Sequence, residues 1–173
     1  MLACPLRRFR QDPTAILRPY IREGMTVLEP GPGMGFFTLD MGRLVGSSGR
    51  VVAVDIQPRM LARLQRRAAK AGLAGRIETR LASPGSMQLD DLAGRVDFTL
   101  AFAVVHELPS AEIFFSETAR AMKTGAKLLL AEPKGHVASA RFEEELRLAA
   151  GCGLDVSERP AISGSQTALL VKA

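Results

Sequence analysis

Short apolar runs recur along the chain and alternate with segments in which hydrophobic residues follow the period of an α-helix. The runs that predict buried strands are residues 25–28, Arg50–Asp55, residues 76–81, Val96–Phe102 and residues 127–132. The segments between them have the length and periodicity of helices. Five rounds of this alternation predict a parallel sheet with helices packed against it.

The predicted helices begin at capping residues and end at glycines or turns. Asp12 is placed as an N-cap with Pro13 at the first helical position, and this helix is predicted to run to about residue 22. Further helices are predicted over residues 36–45, 57–71, 110–122 and 140–150. In the helix over 110–122, the side chains predicted to face the sheet are those of Ile113, Phe114, Thr118 and Met122.

The helix over 57–71 has one apolar stripe and one basic side. The stripe consists of Met60, Leu61, Leu64 and Ala68, and the basic side of Arg59, Arg63, Arg66, Arg67 and Lys70. A basic side could bind nucleic acid, but a solvated helix face is the favoured interpretation.

Two strands close the chain. After a predicted exit turn at 123–126 and the strand over 127–132, a helix leads to strands over 154–159 and 166–171. The loop between these last strands is short, so they are predicted to pair antiparallel.

Composition limits the class of protein. The 173 residues are enough for one domain with a real core, and 47% of them are hydrophobic. No apolar run approaches the ~20 residues of a membrane span, and the N-terminus is a poor signal peptide. Cys4 and Cys152 are far apart and form no metal-binding spacing, so reduced thiols in a cytoplasmic protein are expected. The net charge of +5 is compatible with nucleic acid or an anionic substrate without requiring either.

A glycine-rich turn follows the first strand. Glu29 ends the strand, and Gly31, Gly33 and Gly35 stand at alternate positions before the next helix. This order of strand, acid, glycine turn and helix predicts a nucleotide-type pocket at the carboxyl edge of a parallel sheet. A dinucleotide fingerprint would need a third glycine where Phe36 stands, and no Gly-Lys-Ser/Thr of a phosphate loop follows. An ordinary tight turn between a strand and a helix is the simpler alternative.

A second carboxylate stands at the end of the second predicted strand. Asp55 lies twenty positions beyond Gly35. A carboxylate at this distance and at this strand end is placed to accept hydrogen bonds from ribose hydroxyls.

Together these segments resemble class I S-adenosylmethionine (SAM) methyltransferases. The resemblance rests on residues 27–35, on 51–55, on 96–102 with the following Val105-His106-Glu107, and on 123–132, and it extends from about Pro13 to Val171. The last of these segments is similar to the branch that contains the ubiquinone and menaquinone biosynthesis methyltransferases. The resemblance implies an α/β, Rossmann-like doubly wound sheet of seven strands, mostly parallel with the last strand antiparallel and with helices on both faces. It also implies one domain over 1–173, with residues 1–12 as an N-terminal arm.

The resemblance implies SAM as cofactor, S-adenosylhomocysteine as product and a role for each matching position. Glu29 is expected near the methionine ammonium, Asp55 on the ribose hydroxyls and Ile56 on the adenine. The sequence departs from the family after the third strand, where the usual acid is replaced by Ala82 and Ser83. The other positions implied to contact the cofactor are Gly31, Pro32, Gly33, Ser83, Ala101 and Phe102.

His106 is the candidate general base. The resemblance implies that it faces the substrate, and imidazole titrates near neutral pH. A base is needed only if the acceptor arrives protonated, and a structural histidine that bonds the loop after the fourth strand is an equal alternative. Glu107, and Glu132 at the tip of the fifth strand, are weaker candidates. His136, in the loop beyond that strand, could also line the acceptor site.

The first functional hypothesis is a methyltransferase that moves a methyl group from SAM to a small-molecule acceptor by in-line displacement. The alternatives are an RNA or protein methyltransferase, with nucleic acid not favoured, and a non-enzymatic SAM-binding subunit. Arsenite methylation needs more than two cysteines, and the motif of amino-methylating nucleic-acid enzymes is absent after the fourth strand. Monomer and homodimer are both open. Apolar residues mildly favour an apolar acceptor, although core packing explains them equally: Phe9, Phe36, Phe37 and Phe102.

Overall fold

The computed structural model describes residues 11–173, so nearly all of the predicted N-terminal arm over 1–12, with Phe9 and Cys4, lies outside the described residues. The helices are α1 (Pro13–Leu17), α2 (Thr38–Leu44), α3 (Pro58–Lys70), α4 (Ala111–Ala121) and α5 (Ser139–Gly151). The strands are β1 (Thr26–Pro30), β2 (Arg50–Asp55), β3 (Ile77–Leu81), β4 (Val96–Phe102), β5 (Met122–Pro133), β6 (Leu154–Glu158) and β7 (Ser165–Lys172). Two short 3-10 turns cover Asp90–Leu92 and Val105–Glu107.

The seven strands form one mixed sheet in the order β3-β2-β1-β4-β5-β7-β6. The pairs β1–β2, β2–β3 and β4–β5 are parallel, whereas β7 runs antiparallel to both β5 and β6. The predicted Rossmann-like sheet, mostly parallel with its last strand antiparallel, is therefore confirmed.

Internal contacts divide the chain into two compact units, residues 1–82 and 83–173. In the described part, the first unit holds α1 to α3 and β1 to β3, and the second holds β4 to β7 with α4 and α5. That the whole chain acts as a single domain stays a prediction.

Fully buried strands form the core of the first unit. Val27 and Leu28 of β1, and residues 51–54 of β2, are buried, as expected for central parallel strands. Helix α1 begins as predicted, with the Asp12 carboxylate accepting the Thr14 N–H at 2.9 Å. It ends at Leu17, earlier than predicted, because Pro19 has no N–H to continue the helix.

Two predictions in the second unit were wrong. The residues predicted as an exit turn, 123–126, belong to β5: the register steps from Val96 opposite Met122 to Phe98 opposite Lys127, so the extra residues form an irregularity in a longer strand. On α4, Ile113 is 46% exposed, while Phe115 is fully buried. The buried face of this helix is rotated from the predicted one and includes Phe114, Phe115, Thr118 and Ala119.

None of the helices in the described part of the chain is long and apolar enough to span a membrane.

Candidate functional site

The glycine loop joins β1 to α2, and two of its three glycines, Gly33 and Gly35, have different surroundings. Gly31, Gly33 and Gly35 all have positive φ, at 65°, 54° and 79°. A Cβ added to Gly33 would meet no atom within 4 Å, whereas one added to Gly35 would lie 2.5 Å from Cδ1 of Leu64 on α3. Gly35 is therefore required for packing, and Gly33 leaves open space beside the loop. The loop is longer than predicted, since α2 begins at Thr38 and not at Phe36.

Glu29 stands one residue before the end of β1 and carries a buried carboxyl group. Its Oε2 accepts a hydrogen bond from the hydroxyl of Thr38 at 2.5 Å. Burial raises the pKa of Glu29 to about 8; the Thr38 hydrogen bond opposes this shift and the charge of Asp55 adds to it. A cation bound here would favour the ionised carboxylate. The ammonium of a SAM methionine moiety fits this chemistry.

Helix α3 holds the glycine loop through its basic side. The Arg67 guanidinium donates a hydrogen bond to the carbonyl oxygen of Met34, and Arg63 reaches the sulfur of Met34 at 3.7 Å. Arg67 is partly buried, while Arg59, Arg66 and Lys70 are exposed, as a solvated helix face requires. The sequence did not predict that Arg67 supports the loop.

The ends of β2 and β3 carry a carboxylate and two exposed apolar side chains. Asp55 accepts the backbone N–H of Gln57 through Oδ1 at 2.8 Å. Ile56 is 55% exposed, and Leu81, which faces Asp55 in the strand register, is 54% exposed. Exposed aliphatic side chains beside a strand-end carboxylate could pack against an adenosine, and the contact of Ile56 with adenine stays a prediction. The sequence did not predict that Leu81 is exposed beside Asp55.

Ser83 belongs to the second unit and lies in a tight turn. Its N–H donates to the carbonyl oxygen of Ser86 at 3.0 Å, and its hydroxyl lies 3.4 Å from the same oxygen. Glu117 supports the turn by accepting the Ser86 hydroxyl and the Met87 N–H, each at 2.6 Å. The adenine contact of Ser83 stays a prediction.

Strand β4 ends in an unusual backbone conformation. Ala101 is buried and Phe102 is partly exposed. Ala103 follows with φ of 55°, a left-handed conformation that costs a residue other than glycine roughly 1–2 kcal/mol. Its N–H donates to the carbonyl oxygen of Ala131 at 2.7 Å, which ties the turn to β5. Strain at a strand end of this kind is typical of functional sites.

His106 and Glu132 form a hydrogen-bonded pair. They come together because β4 and β5 are neighbours, with Phe102 opposite Ala131. Nδ1 of His106 makes a short hydrogen bond with Oε2 of Glu132, and Oε1 of Glu132 accepts the Val105 N–H at 2.8 Å. The Glu132 side chain has no exposed surface, whereas that of His106 is 19% exposed. A histidine oriented by a buried carboxylate is the arrangement of a general base and its orienting group.

Further ionisable groups surround this pair. Glu145 on α5 is 3% exposed, and neither of its oxygens has a hydrogen bond within the described residues; Nε of Arg141 lies 3.6 Å away. Burial, followed by the charge of Glu132, raises the pKa of Glu145 to about 7, against the opposing charges of Arg141 and His106. The ring of His136 lies parallel to that of His106, with centroids 6.4 Å apart.

The weaker candidates proposed from the sequence differ in how they are placed relative to His106. Glu132 and His136 contact His106, whereas the Glu107 side chain is 72% exposed, with Oε1 3.9 Å from Nε2 of His106. Glu145 was missed because it stands in a run of three glutamates whose buried member no pattern identifies. Within residues 11–173, no three His, Cys, Asp or Glu side chains are grouped to hold a metal ion.

The comparison with known families agrees with this geometry. A family model described as a methyltransferase domain matches residues 21–159. The chain belongs to this methyltransferase domain family. The resemblance inferred from the sequence is confirmed.

Three curated relatives show the range of the family. An arsenite methyltransferase from Halobacterium salinarum is 28% identical over 72% of this chain and 30% of its own length. A ribosomal protein L11 methyltransferase from Pelotomaculum thermopropionicum is 31% identical over 83% of the chain and 42% of its own length. A ubiquinone/menaquinone biosynthesis C-methyltransferase from Enterobacter sp. is 30% identical over 65% and 44%. The chain spans less than half the length of each.

A solved structure matches along nearly the whole length. It is that of a SAM dependent methyltransferase from Aquifex aeolicus, with a TM-score of 0.83 and 28% identity, covering 97% of this chain and 94% of that one. This methyltransferase domain therefore has a counterpart of similar length among solved structures.

Proposed function

We propose that this methyltransferase domain binds SAM and transfers its methyl group to a small-molecule acceptor by in-line displacement, releasing S-adenosylhomocysteine. The observation that carries the proposal is the end of β1, where the buried carboxyl of Glu29 stands beside the open glycine loop at Gly33. A buried acid with a raised pKa is satisfied by a cationic ligand, and an open, side-chain-free loop permits close approach to a ligand.

The cofactor roles implied by the family remain proposals for this chain. In the first unit, Glu29 would hold the methionine ammonium, and the backbone of Gly31, Pro32 and Gly33 would approach the cofactor closely. Asp55 would bind the ribose, and Ile56 would pack on the adenine. In the second unit, Ser83, Ala101 and Phe102 keep the cofactor contacts that the resemblance implies.

SAM supplies a methyl group that its sulfonium has already activated. The protein therefore contributes mainly by holding the acceptor in line and by excluding water. His106 is proposed as the general base on the acceptor side, because its partly exposed ring is oriented by Glu132. A structural role for His106 is the alternative that its substitution must test.

A small-molecule acceptor is proposed ahead of RNA or protein, since the alternative is supported by the positive net charge alone. On α3, Arg63 and Arg67 contact Met34 of the glycine loop, and a solvated helix face is the preferred interpretation of the exposed basic residues. The curated relatives include a protein methyltransferase, so acceptor class is decided by experiment. Arsenite is disfavoured because two cysteines provide too few thiolates. A cytoplasmic location and a monomeric or homodimeric state are part of the proposal.

Calorimetry with SAM, S-adenosylhomocysteine, NAD and ATP tests the cofactor. SAM and S-adenosylhomocysteine are expected to bind far more tightly than NAD or ATP, because the glycine spacing is not that of a dinucleotide fold. Tighter binding of NAD would refute the proposal. A methyl-release screen over phenol, thiol, amine and RNA acceptors then tests the activity; a protein that binds SAM and turns over no acceptor would be the non-enzymatic binding subunit.

A further inference from the structure

We propose that Glu132 is a positioning residue that fixes the tautomer of His106, and that the acceptor is a molecule with a phenol hydroxyl. This inference rests on the proposed function, since it names the acceptor class of the same site. Glu132 contacts the proposed base and not the substrate. Its role can therefore be measured by determining which ring nitrogen of His106 carries the proton.

The hydrogen bonds of Glu132 determine which nitrogen carries the proton. Both oxygens of Glu132 have hydrogen-bond partners: Oε1 accepts the Val105 N–H at 2.8 Å, and Oε2 is hydrogen-bonded to Nδ1 of His106. A backbone N–H can only donate, and a carboxylate oxygen can only accept. An ionised Glu132 requires the proton on Nδ1, which leaves the lone pair on Nε2. Nε2 is then the atom that accepts a proton.

Titratable and charged side chains surround His106 on the 3-10 turn, on β5, on the loop after β5 and on α5. Glu107 lies in the same 3-10 turn, with Oε1 3.9 Å from Nε2; Glu132 extends from β5, and His136 stacks from the loop after β5. From α5 come Glu145 and Arg141, whose Nη2 lies 3.5 Å from the His106 carbonyl oxygen. Arg141 hydrogen-bonds the main-chain carbonyl of His106 and not its ring, so it does not select the acceptor. An ammonium acceptor would bring a second positive charge beside the SAM sulfonium, whereas a neutral hydroxyl would not, and this favours the hydroxyl.

An oriented base is useful only for an acceptor whose attacking atom carries a proton. A thiol is partly ionised near neutral pH, since its ordinary pKa is about 8.5, whereas a phenol has an ordinary pKa of about 10. In the proposed step, the hydroxyl proton moves to Nε2 of His106 and the oxygen forms a bond to the methyl carbon. The carbon–sulfur bond breaks and sulfur keeps its electron pair, so charge and atoms balance.

The substitution Glu132→Gln tests the tautomer directly. An amide has one acceptor oxygen, but this position faces two donors, the Val105 N–H and Nδ1–H of His106. If the amide oxygen stays with the backbone N–H, its NH2 group faces Nδ1 and forces the proton onto Nε2. Glu145→Gln is the matched control, because it changes a second buried carboxyl that has no hydrogen bond to His106 among the described residues.

The first measurement is nitrogen NMR of the imidazole, which needs no turnover. We expect Nδ1 protonated and Nε2 unprotonated in the wild type and in Glu145→Gln, and the opposite tautomer in Glu132→Gln. Glu132→Asp is the second variant, for use if Glu132→Gln does not fold. Its shorter side chain moves the carboxylate away from Nδ1, so it should weaken the preference for the Nδ1–H tautomer. A wild-type proton on Nε2, or an unchanged tautomer in both Glu132 variants, would overturn the positioning role.

The second measurement compares two phenols in the methyl-release assay at mildly alkaline pH. For para-cresol, which stays protonated, Glu132→Gln should lower kcat by about 10²–10⁴-fold with little change in KM, as expected for loss of general-base catalysis. For para-nitrophenol, which is largely ionised there, the same variant should be close to wild type. An equal loss with both phenols would mean that Glu132 only supports the structure.

The proposal of a phenol acceptor and the proposal of SAM binding can fail independently of each other. If the wild type binds SAM and methylates thiols or amines but neither phenol, or no acceptor at all, the acceptor class proposed here is wrong while the cofactor proposal stands. If the wild type does not bind SAM, the proposed function itself fails. The tautomer measurement judges the Glu132–His106 relationship in either case.

Discussion

The hydroxyl of Thr38, at the first position of α2, donates to the buried carboxyl of Glu29 at the end of β1 across 2.5 Å. This bond joins the two elements on either side of the glycine loop. It also opposes the rise in the pKa of Glu29 that burial causes, without cancelling it, since that pKa remains at about 8. The carboxyl is therefore poised to ionise when a cation arrives.

The pH dependence of stability should report Glu29. Its pKa rises from an ordinary 4.5 to about 8 on folding, so the folded state holds this proton more tightly. The stabilisation is full below pH 4.5 and is lost progressively as pH rises towards 8. Glu29→Gln should flatten this part of the profile of unfolding free energy without ligand. An equally steep profile in the variant would assign the dependence to other groups.

The same carboxyl should couple proton release to cofactor binding. If the SAM ammonium pairs with Glu29, affinity for S-adenosylhomocysteine should increase as pH rises towards 8 and calorimetry should detect a released proton. Glu29→Gln should bind more weakly and without this proton release. Thr38→Val, which removes only the hydrogen bond, should keep the release and move it to higher pH.

Asp55 should contribute to affinity through the ribose. Asp55→Ala removes a charge-assisted hydrogen-bond acceptor and should cost about 1.5–3 kcal/mol of cofactor binding free energy, measured by calorimetry. Because Asp55 also accepts the Gln57 N–H, Asp55→Asn is a useful companion that can keep this bond. Asp155→Ala, at an exposed carboxylate on β6, is the matched control and should bind normally. Unchanged affinity in a folded Asp55→Ala would place the ribose partner elsewhere.

Gly33 and Gly35 should respond differently to alanine. Gly35→Ala places a Cβ 2.5 Å from Leu64 at a φ of 79°, so overpacking and backbone strain should together lower the unfolding free energy by about 2–5 kcal/mol. Gly33→Ala meets no protein atom and should cost only about 1–2 kcal/mol from its φ of 54°. Cofactor affinity should nevertheless fall in Gly33→Ala, because the methyl enters the open space beside the loop. Chemical denaturation and calorimetry on both variants check this contrast.

The fold was largely predictable because its signals are local. Strands β2 and β4 have the predicted bounds, since each is a largely apolar run that starts directly after Gly49 or Arg95. The errors have tertiary causes. The irregularity in β5 over 123–126 depends on pairing with β4, and the buried face of α4 depends on what the helix packs against.

The placement of Glu29 and Asp55 near the ends of neighbouring strands follows from strand order, but the pairing of His106 with Glu132 does not. It requires the register of β4 and β5, which the irregularity in β5 shifts. The burial of Glu145 was equally unpredictable from the sequence. The neighbouring Glu143 and Glu144 form exposed ion pairs with Arg159 and Arg147, respectively. Only the packing of α5 determines which of these three glutamates is buried.

His106→Gln distinguishes a catalytic base from a structural histidine. Glutamine keeps polarity and approximate size and can still bond Glu132, but it cannot take a proton near neutral pH. Affinity for SAM should hold, while turnover of a protonated acceptor should fall about 10²–10⁴-fold and lose its dependence on pH near neutrality. His136→Gln, at the imidazole stacked on His106 but without its bond to Glu132, is the comparison and should keep that pH dependence. Unaffected turnover in His106→Gln would make the histidine structural, and a collapse of SAM affinity would place it in the cofactor pocket, because a base on the acceptor side contributes nothing to cofactor binding.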